Sequence, residues 1–176
     1  ACAQSALDKH LNRSLGEDAA KNEQKVEGVN KVHATAAGYW RLDGQGPKSG
    51  EPCAITYVSQ WNSAGYVAPQ PGSNESFFVL SGPSIPPVDS PPRKKMKLFA
   101  RGSDVQEGQA MHIPNRKEAG AIIFRLTDIK EALNGMSDVE NLRIGLDNKD
   151  VFSMSWDGGH KAREAMRSCL AQKGTP

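Results

Sequence analysis

Cysteine and histidine are the residue types that most readily bind metals or take part in catalysis, and this chain of 176 residues has only three cysteines and four histidines. The cysteines form no C-x-x-C pair and the histidines no H-x-H or H-x-x-x-H pair, which are common spacings in zinc and redox sites. Met111 with His112, and Met154 with His160, offer the ligand types that copper accepts, but Met154 is better explained as a core residue of a strand. The sequence contains no G-x-S-x-G turn, Walker A loop or dinucleotide fingerprint. We therefore expect no catalytic residue, no metal and no cofactor.

Two of the cysteines have a predicted pairing. Cys53 alternates with Ile55 and Tyr57 along a predicted strand, which places these three residues on one face. Cys169 lies on the apolar stripe of a predicted C-terminal helix, with Ala162, Ala165, Met166 and Leu170. Both cysteines should face the core, and we predict a Cys53–Cys169 disulfide, which implies an oxidising compartment. The alternative is a pair of reduced, buried thiols.

The third cysteine, Cys2, lies in the N-terminal stretch ACAQSA, whose small residues resemble the remnant of an export signal. A second interpretation is that Ala1-Cys2 resembles the end of a bacterial lipobox, which makes Cys2 the lipid-bearing residue. A third is a plain free thiol. No apolar run approaches the roughly 20 residues of a membrane-spanning helix. We expect a periplasmic or extracellular protein with no spanning segment and, on the second interpretation, a lipid anchor at Cys2.

The elements that must position these residues follow from short apolar runs separated by turn residues. Gly (17) and Pro (11) are frequent, which favours an all-β or α+β layout. Seven runs predict strands: GYWRL, CAITYVSQW, SFFVLSG, KKMKLFARG, GAIIFRL, LRIGL and VFSMSW. Residues 127–134 predict a short helix capped by Thr127 or Asp128, and Asp157 is the predicted N-cap of the C-terminal helix.

These elements predict an α+β fold. It consists of a twisted antiparallel β-sheet or sandwich of about six to eight strands, covered by the C-terminal helix. Residues 38–176 form the compact domain. Residues 1–37 form a helical or flexible extension or tether, with a helix over residues 4–15 that ends at Gly16.

A proline-rich segment, residues 81–92, is the predicted partner-binding element. Its five prolines exclude it from a sheet interior, so we expect its two apolar residues, Ile85 and Val88, to be exposed. The cations Arg93, Lys94, Lys95 and Lys97 follow directly. Nucleic acid is not expected, because the net charge is only +2 and the cluster lacks interleaved aromatic residues. A protein or envelope polymer is the expected partner; the alternative is that the lysines protect a sheet edge.

The order of several landmarks resembles that of small bacterial envelope proteins of the invasion-associated locus B type. The landmarks are Trp40, Cys53, the strand VFSMSW, Gly158 and Ala162. The resemblance implies a sheet-plus-helix architecture and an envelope location, and it carries over no catalytic residue. We therefore expect an exported, non-enzymatic envelope protein that binds a protein or an envelope polymer. The alternatives are a secreted hydrolase with an unrecognised site and an inhibitor that inserts residues 81–92 into a target cleft.

Overall fold

A single antiparallel sheet dominates the computed structural model, which describes residues 31–45, 50–85, 93–100, 104–116, 119–146 and 149–174. The strands are β1 (Lys31–Ala34), β2 (Tyr39–Asp43), β3 (Ala54–Ser59), β4 (Asn62–Val67), β5 (Ser76–Gly82), β6 (Arg93–Ala100), β7 (Asp104–Arg116), β8 (Ala119–Leu126), β9 (Glu140–Leu146) and β10 (Lys149–Trp156). The helices are α1 (Ile129–Asn134) and α2 (Gly159–Gln172). The predicted α+β class is confirmed, with ten described strands where we expected six to eight. The predicted helix over residues 4–15 lies outside the described residues.

The strand order is β1-β2-β3-β4-β5-β8-β7-β6-β9-β10. Successive hairpins build β1 to β5, and the β6–β7 hairpin is inserted between β8 and β9. The two ends of the sheet then meet: the Trp40 and Trp156 rings, from β2 and β10, lie edge to face with centroids 5.3 Å apart. The sheet therefore curls around a core that its own last strand helps to fill.

One face of the sheet, here called the inner face, carries the main core. The side chains of α1, α2 and β10 pack into the same cluster as the inner residues of β2 to β5. Trp40, Tyr57 and Trp156 lie at its centre, and the Trp40 and Tyr57 rings also meet edge to face at 5.1 Å. Such pairs add about 0.5–1.5 kcal/mol to the contribution of burial itself.

The predicted disulfide between Cys53 and Cys169 is confirmed. The two Cα atoms are 6.1 Å apart, and the bond joins residues separated by 116 positions. Both residues are buried in the main core, as the strand alternation and the helical stripe predicted. The bond fixes α2 against the strand that begins just after Cys53.

Of the two predicted helix caps, one is confirmed and one is wrong. Asp128 caps α1 by accepting a hydrogen bond from the Lys130 backbone N–H at 2.9 Å, as predicted. Asp157 as the cap of α2 is wrong. Gly158, at φ +74°, occupies that position, and Asp138 accepts the Gly159 and His160 backbone N–H groups through its carbonyl and carboxylate oxygens. A left-handed glycine turns the chain so that the cap comes from the preceding loop.

The described sheet begins at Lys31 rather than at Gly38. β1 pairs with β2 through Ala34 and Tyr39, and the Thr35 hydroxyl shares a 2.6 Å hydrogen bond with the Tyr57 hydroxyl. Residues assigned to the extension by sequence therefore belong to the folded domain, because the short run KVHA lacks the large apolar residues that mark a strand.

Candidate binding surface

Trp61 is a large apolar side chain that is not buried in the core. Among the described residues, the exposed large hydrophobic side chains are Trp61, at 56%, and Val139, at 48%. Trp61 follows Gln60 in the two-residue turn that joins β3 to β4, since Ser59 pairs with Asn62. Gln60 has φ +50°, an uncommon value for a residue other than glycine. The turn presents the indole to solvent.

The Trp61 turn is held on both sides. The Ser59 hydroxyl donates to the Ala37 carbonyl at 2.9 Å, and the Asn62 amide donates to the Ser153 carbonyl of β10 at 3.3 Å. A Cβ on Gly82 would lie 2.2 Å from Asn62 Oδ1, so the close approach of Asn62 to β5 requires glycine. A fixed aromatic side chain loses little conformational entropy when a partner binds it.

An exposed polar surface lies next to this turn, on the side of β9 and β10 that faces away from the core. We call it the polar surface, and its members are Asn141, Arg143, Ser153 and Ser155. Ser153 is the cross-strand partner of Arg143, and Ser155 is that of Asn141. The Ser155 hydroxyl donates to Asn141 Oδ1, and Arg143 lies 3.7 Å from Asp150. The surface offers hydroxyl, amide and guanidinium groups, and the Ser153 carbonyl accepts a hydrogen bond from Asn62, the residue that follows Trp61.

These groups are suited to binding rather than to nucleophilic catalysis. The Ser155 hydroxyl contacts an amide, and the buried Ser63 and Ser81 hydroxyls contact each other at 2.5 Å. Neither contact includes a group that could act as a base for a serine nucleophile. Aromatic and arginine side chains carry much of the binding energy at protein surfaces, and a planar ring with neighbouring hydrogen-bonding groups also suits hydroxyl-rich polymers.

Ile85 was predicted as an exposed contact residue, and that prediction is wrong. Ile85 is 0% exposed and belongs to the main core. Ser81 and Gly82 are the end of β5, and the Ile85 N–H donates to the Gly82 carbonyl at 3.2 Å, which turns the side chain back into the core. Val88 lies outside the described residues. The proposed inhibitor function loses its main support, because the first residues of its loop are strand and core.

The predicted cations Arg93, Lys94, Lys95 and Lys97 lie in β6. This strand lies between β7 and β9, and its pairing with β9 begins at Lys97. Phe99 of β6 is the cross-strand partner of Arg143, so the two positions share a face. Strand alternation places positions 95 and 97 on that face and position 94 on the other.

Of the two ligand pairs considered from sequence, Met154 with His160 has its members in different environments. Met154 is a buried core residue, whereas His160 is exposed and lies 4.0 Å from Asp138. Within the part of the chain that the structure describes, no three His, Cys, Asp or Glu side chains are grouped closely enough to hold a metal ion.

Among the described residues, Tyr66 of β4 has a strongly raised pKa. Burial of the Tyr66 phenol, followed by the negative charge of Glu140, raises the pKa of Tyr66 well above its ordinary value of 10.0. The Tyr66 ring also packs against Phe78, with centroids 4.8 Å apart. The phenol therefore stays protonated beyond the pH at which an ordinary tyrosine ionises.

Comparison with protein-family models, with curated proteins and with solved structures gives no match. Neither described helix is both long and apolar enough to cross a membrane.

Proposed function

We propose that this chain is an exported, non-enzymatic envelope protein that binds a protein or an envelope polymer through Trp61 and the polar surface. The observation that carries the proposal is the exposed Trp61, in a turn whose next residue, Asn62, donates a hydrogen bond to the Ser153 carbonyl of β10. A rigid aromatic residue at the border of a polar surface has the composition of a binding site.

Export is supported by the Cys53–Cys169 disulfide. Structural disulfides persist in oxidising compartments and are rare in reducing ones. A periplasmic or extracellular location fits this bond, and the resemblance to invasion-associated locus B proteins points the same way. Cys2 lies outside the described residues, and its lipidation remains a prediction.

The charge of the surface indicates the chemistry of the partner. Arg143 is 50% exposed at its side chain, and strand alternation places positions 95 and 97 of β6 on the same face of the sheet as position 143. An acidic or hydroxyl-rich partner complements these groups, either as an acidic protein surface or as an anionic envelope polymer.

Binding to two defined probes tests the proposal: purified peptidoglycan sacculi and an envelope protein extract. Trp61→Ala should reduce retention of the true partner by about tenfold or more, as expected of a binding hot spot. Val139→Ala is the matched control, because Val139 is also an exposed apolar residue but precedes β9 outside the Trp61 turn.

Arg143→Gln should weaken binding less than Trp61→Ala and reduce its sensitivity to salt. Equal binding by the wild type, Trp61→Ala and Arg143→Gln would show that the partner binds elsewhere or that neither probe contains it. In the second case, a competition assay with a soluble acidic polysaccharide decides whether the surface binds anionic polymers at all.

A further inference from the structure

The composition of the Trp61 site is unlike that of an ordinary protein interface. The residues on either side of Trp61 are polar: Gln60 is exposed and Asn62 is half-buried. A protein interface usually buries several apolar side chains together at its centre. Among the described residues, however, the exposed large hydrophobic side chains are only Trp61 and Val139, and Val139 precedes β9 outside the turn. The site therefore offers one aromatic ring rather than an apolar cluster.

The polar surface supplies hydrogen-bond donors and acceptors together. It meets the Trp61 turn at Ser153, whose carbonyl accepts the Asn62 amide. Two residues further along β10, the Ser155 hydroxyl donates to Asn141 Oδ1. That bond leaves the two N–H donors of Asn141 Nδ2 and the lone pairs of Ser155 Oγ for other partners. Both side chains are exposed, so a ligand has access to them.

The charged groups of the polar surface are also mixed. Arg143 lies 3.7 Å from Asp150, and their side chains are 50% and 60% exposed. An anionic ligand that approaches the guanidinium therefore meets a carboxylate as well. A hydroxyl group suits both side chains, because it donates to a carboxylate and accepts from a guanidinium.

We infer that the partner of this site is a glycan, with one sugar ring packed on the Trp61 indole and neighbouring sugar hydroxyls bound by the polar surface. The inference rests on the proposed function, because it names the class of polymer that the same site binds. A pyranose ring has a face of C–H groups, and packing that face on an indole removes apolar area from water. Its hydroxyls each donate one hydrogen bond and accept others, which matches the groups at Asn141 and Ser155.

The three tryptophans allow a test in the unmodified protein. Trp40 and Trp156 are 0% and 3% exposed, whereas Trp61 is 56% exposed, so succinimide, a neutral quencher that does not enter protein interiors, reports mainly on Trp61. Two probes are used: glycan strands released from peptidoglycan sacculi and freed of peptide, and lipid-free polysaccharide from the same envelope. At saturation, one of them should lower the quenching constant by about twofold or more, because a sugar ring covers one face of the indole. No protection by either probe at up to about 10 mM sugar, which detects millimolar affinity, would overturn the inference.

Replacement of the indole separates ring stacking from general apolar contact. Trp61→Phe keeps a flat ring and should retain glycan binding within about fivefold of the wild type. Trp61→Leu keeps an apolar side chain without a flat face and should weaken binding by about tenfold or more. Saturation-transfer NMR on the glycan measures both variants, since it needs no tryptophan signal. Equal binding by the two variants would show that no sugar ring stacks at position 61.

The polar surface is tested with single side-chain truncations. Ser155→Ala and Asn141→Ala should each weaken glycan binding by about two- to tenfold, the range expected for one hydrogen bond. Ser168→Ala is the matched control, because Ser168 is an exposed serine of α2. If both variants bind as the control does, the polar surface does not bind the sugar hydroxyls.

The fate of the proposed function is read separately, from retention of an envelope protein extract. A protein retained by the wild type but not by Trp61→Ala, together with no protection by either glycan, would overturn this inference and leave the proposed binding site standing. Retention of neither sacculi nor extract that depends on Trp61 would overturn both.

Discussion

The outward side chains of β3, β4, β5 and β8 and those of β9 and β10 lie on the same face of one sheet, yet they have opposite surroundings. On the first four strands Ala54, Val67, Val79, Ala121 and Ile123 are each at most 2% exposed, and we call this group the outer apolar surface. Arg125, an outward position near the end of β8, is exposed. The outward positions of β9 and β10 include Asn141, Arg143, Ser153 and Ser155, and all four are exposed. The inner positions of β5, β8, β9 and β10 are mostly apolar, and the buried polar exceptions are Ser76 of β5 and Glu140 of β9. The outward residues therefore distinguish strands that are buried on both faces from strands that have one solvent-exposed face.

The largest effect is expected when the same negative charge is placed on each surface. Val79→Asp should lower the free energy of unfolding by about 4 kcal/mol or more, because a carboxylate replaces a side chain that is 2% exposed. Ser153→Asp should change it by less than about 0.5 kcal/mol. Urea denaturation monitored by tryptophan fluorescence measures both. A small effect of Val79→Asp would mean that position 79 is solvated in the native protein.

The ion pairs of the two regions give the next comparison. Asp43→Asn leaves Arg41 with an unpaired charge where both side chains are 6% exposed, and it should cost about 3 kcal/mol. Asp150→Asn breaks a 3.7 Å pair whose side chains are 50% and 60% exposed, and it should cost less than about 1 kcal/mol. Similar losses for the two variants, measured by urea denaturation, would contradict the assigned difference in burial.

The sequence predicted both regions in part. The runs SFFVLSG and GAIIFRL place apolar residues on both faces, and FSMSW alternates apolar and polar residues, so the strands and their environments could be recognised. β1, β4 and β7 were not predicted. Their sequences KVHA, NSAGYV and DVQEGQAMHIPNR are rich in small or polar residues, and β7 contains a proline. Neighbouring strands, rather than their own propensities, hold them in the sheet.

The candidate binding surface was predicted less well because it depends on a turn. The run CAITYVSQW was interpreted as one strand, but the strand ends at Ser59 and Trp61 lies in the turn. The Asn62 that follows was the available signal, since asparagine favours turns. Ile85 shows the reverse error: prolines around it indicated an exposed loop, whereas long-range packing buries the side chain. Nothing local in the sequence reports such contacts.

Ile85 and Trp61 therefore make a matched pair for the third prediction. Ile85→Ala should lower the free energy of unfolding by about 2–4 kcal/mol, because it leaves a cavity in the main core. Trp61→Ala should lower it by less than about 0.5 kcal/mol while weakening partner binding. Thermal and urea unfolding measure stability, and retention on the sacculi or the envelope extract measures binding. If Trp61→Ala destabilises the fold as much as Ile85→Ala, the indole is a core residue.

The smallest expected effect concerns neighbouring lysines of β6. Position 95 shares the alternation of Phe99, the cross-strand partner of Arg143, and position 94 has the opposite alternation. Lys95→Gln should therefore weaken binding of an acidic partner by about two- to fivefold at low salt, as a charge at the rim of an interface does. Lys94→Gln removes the same charge and should have a smaller effect.

The difference between the two variants should shrink as ionic strength rises, since exposed charges are screened beyond about 8 Å at physiological salt. Binding isotherms at two salt concentrations measure it. Equal effects at both positions would show that the partner responds to net charge alone, and a larger effect at position 94 would place the partner on the opposite face of β6.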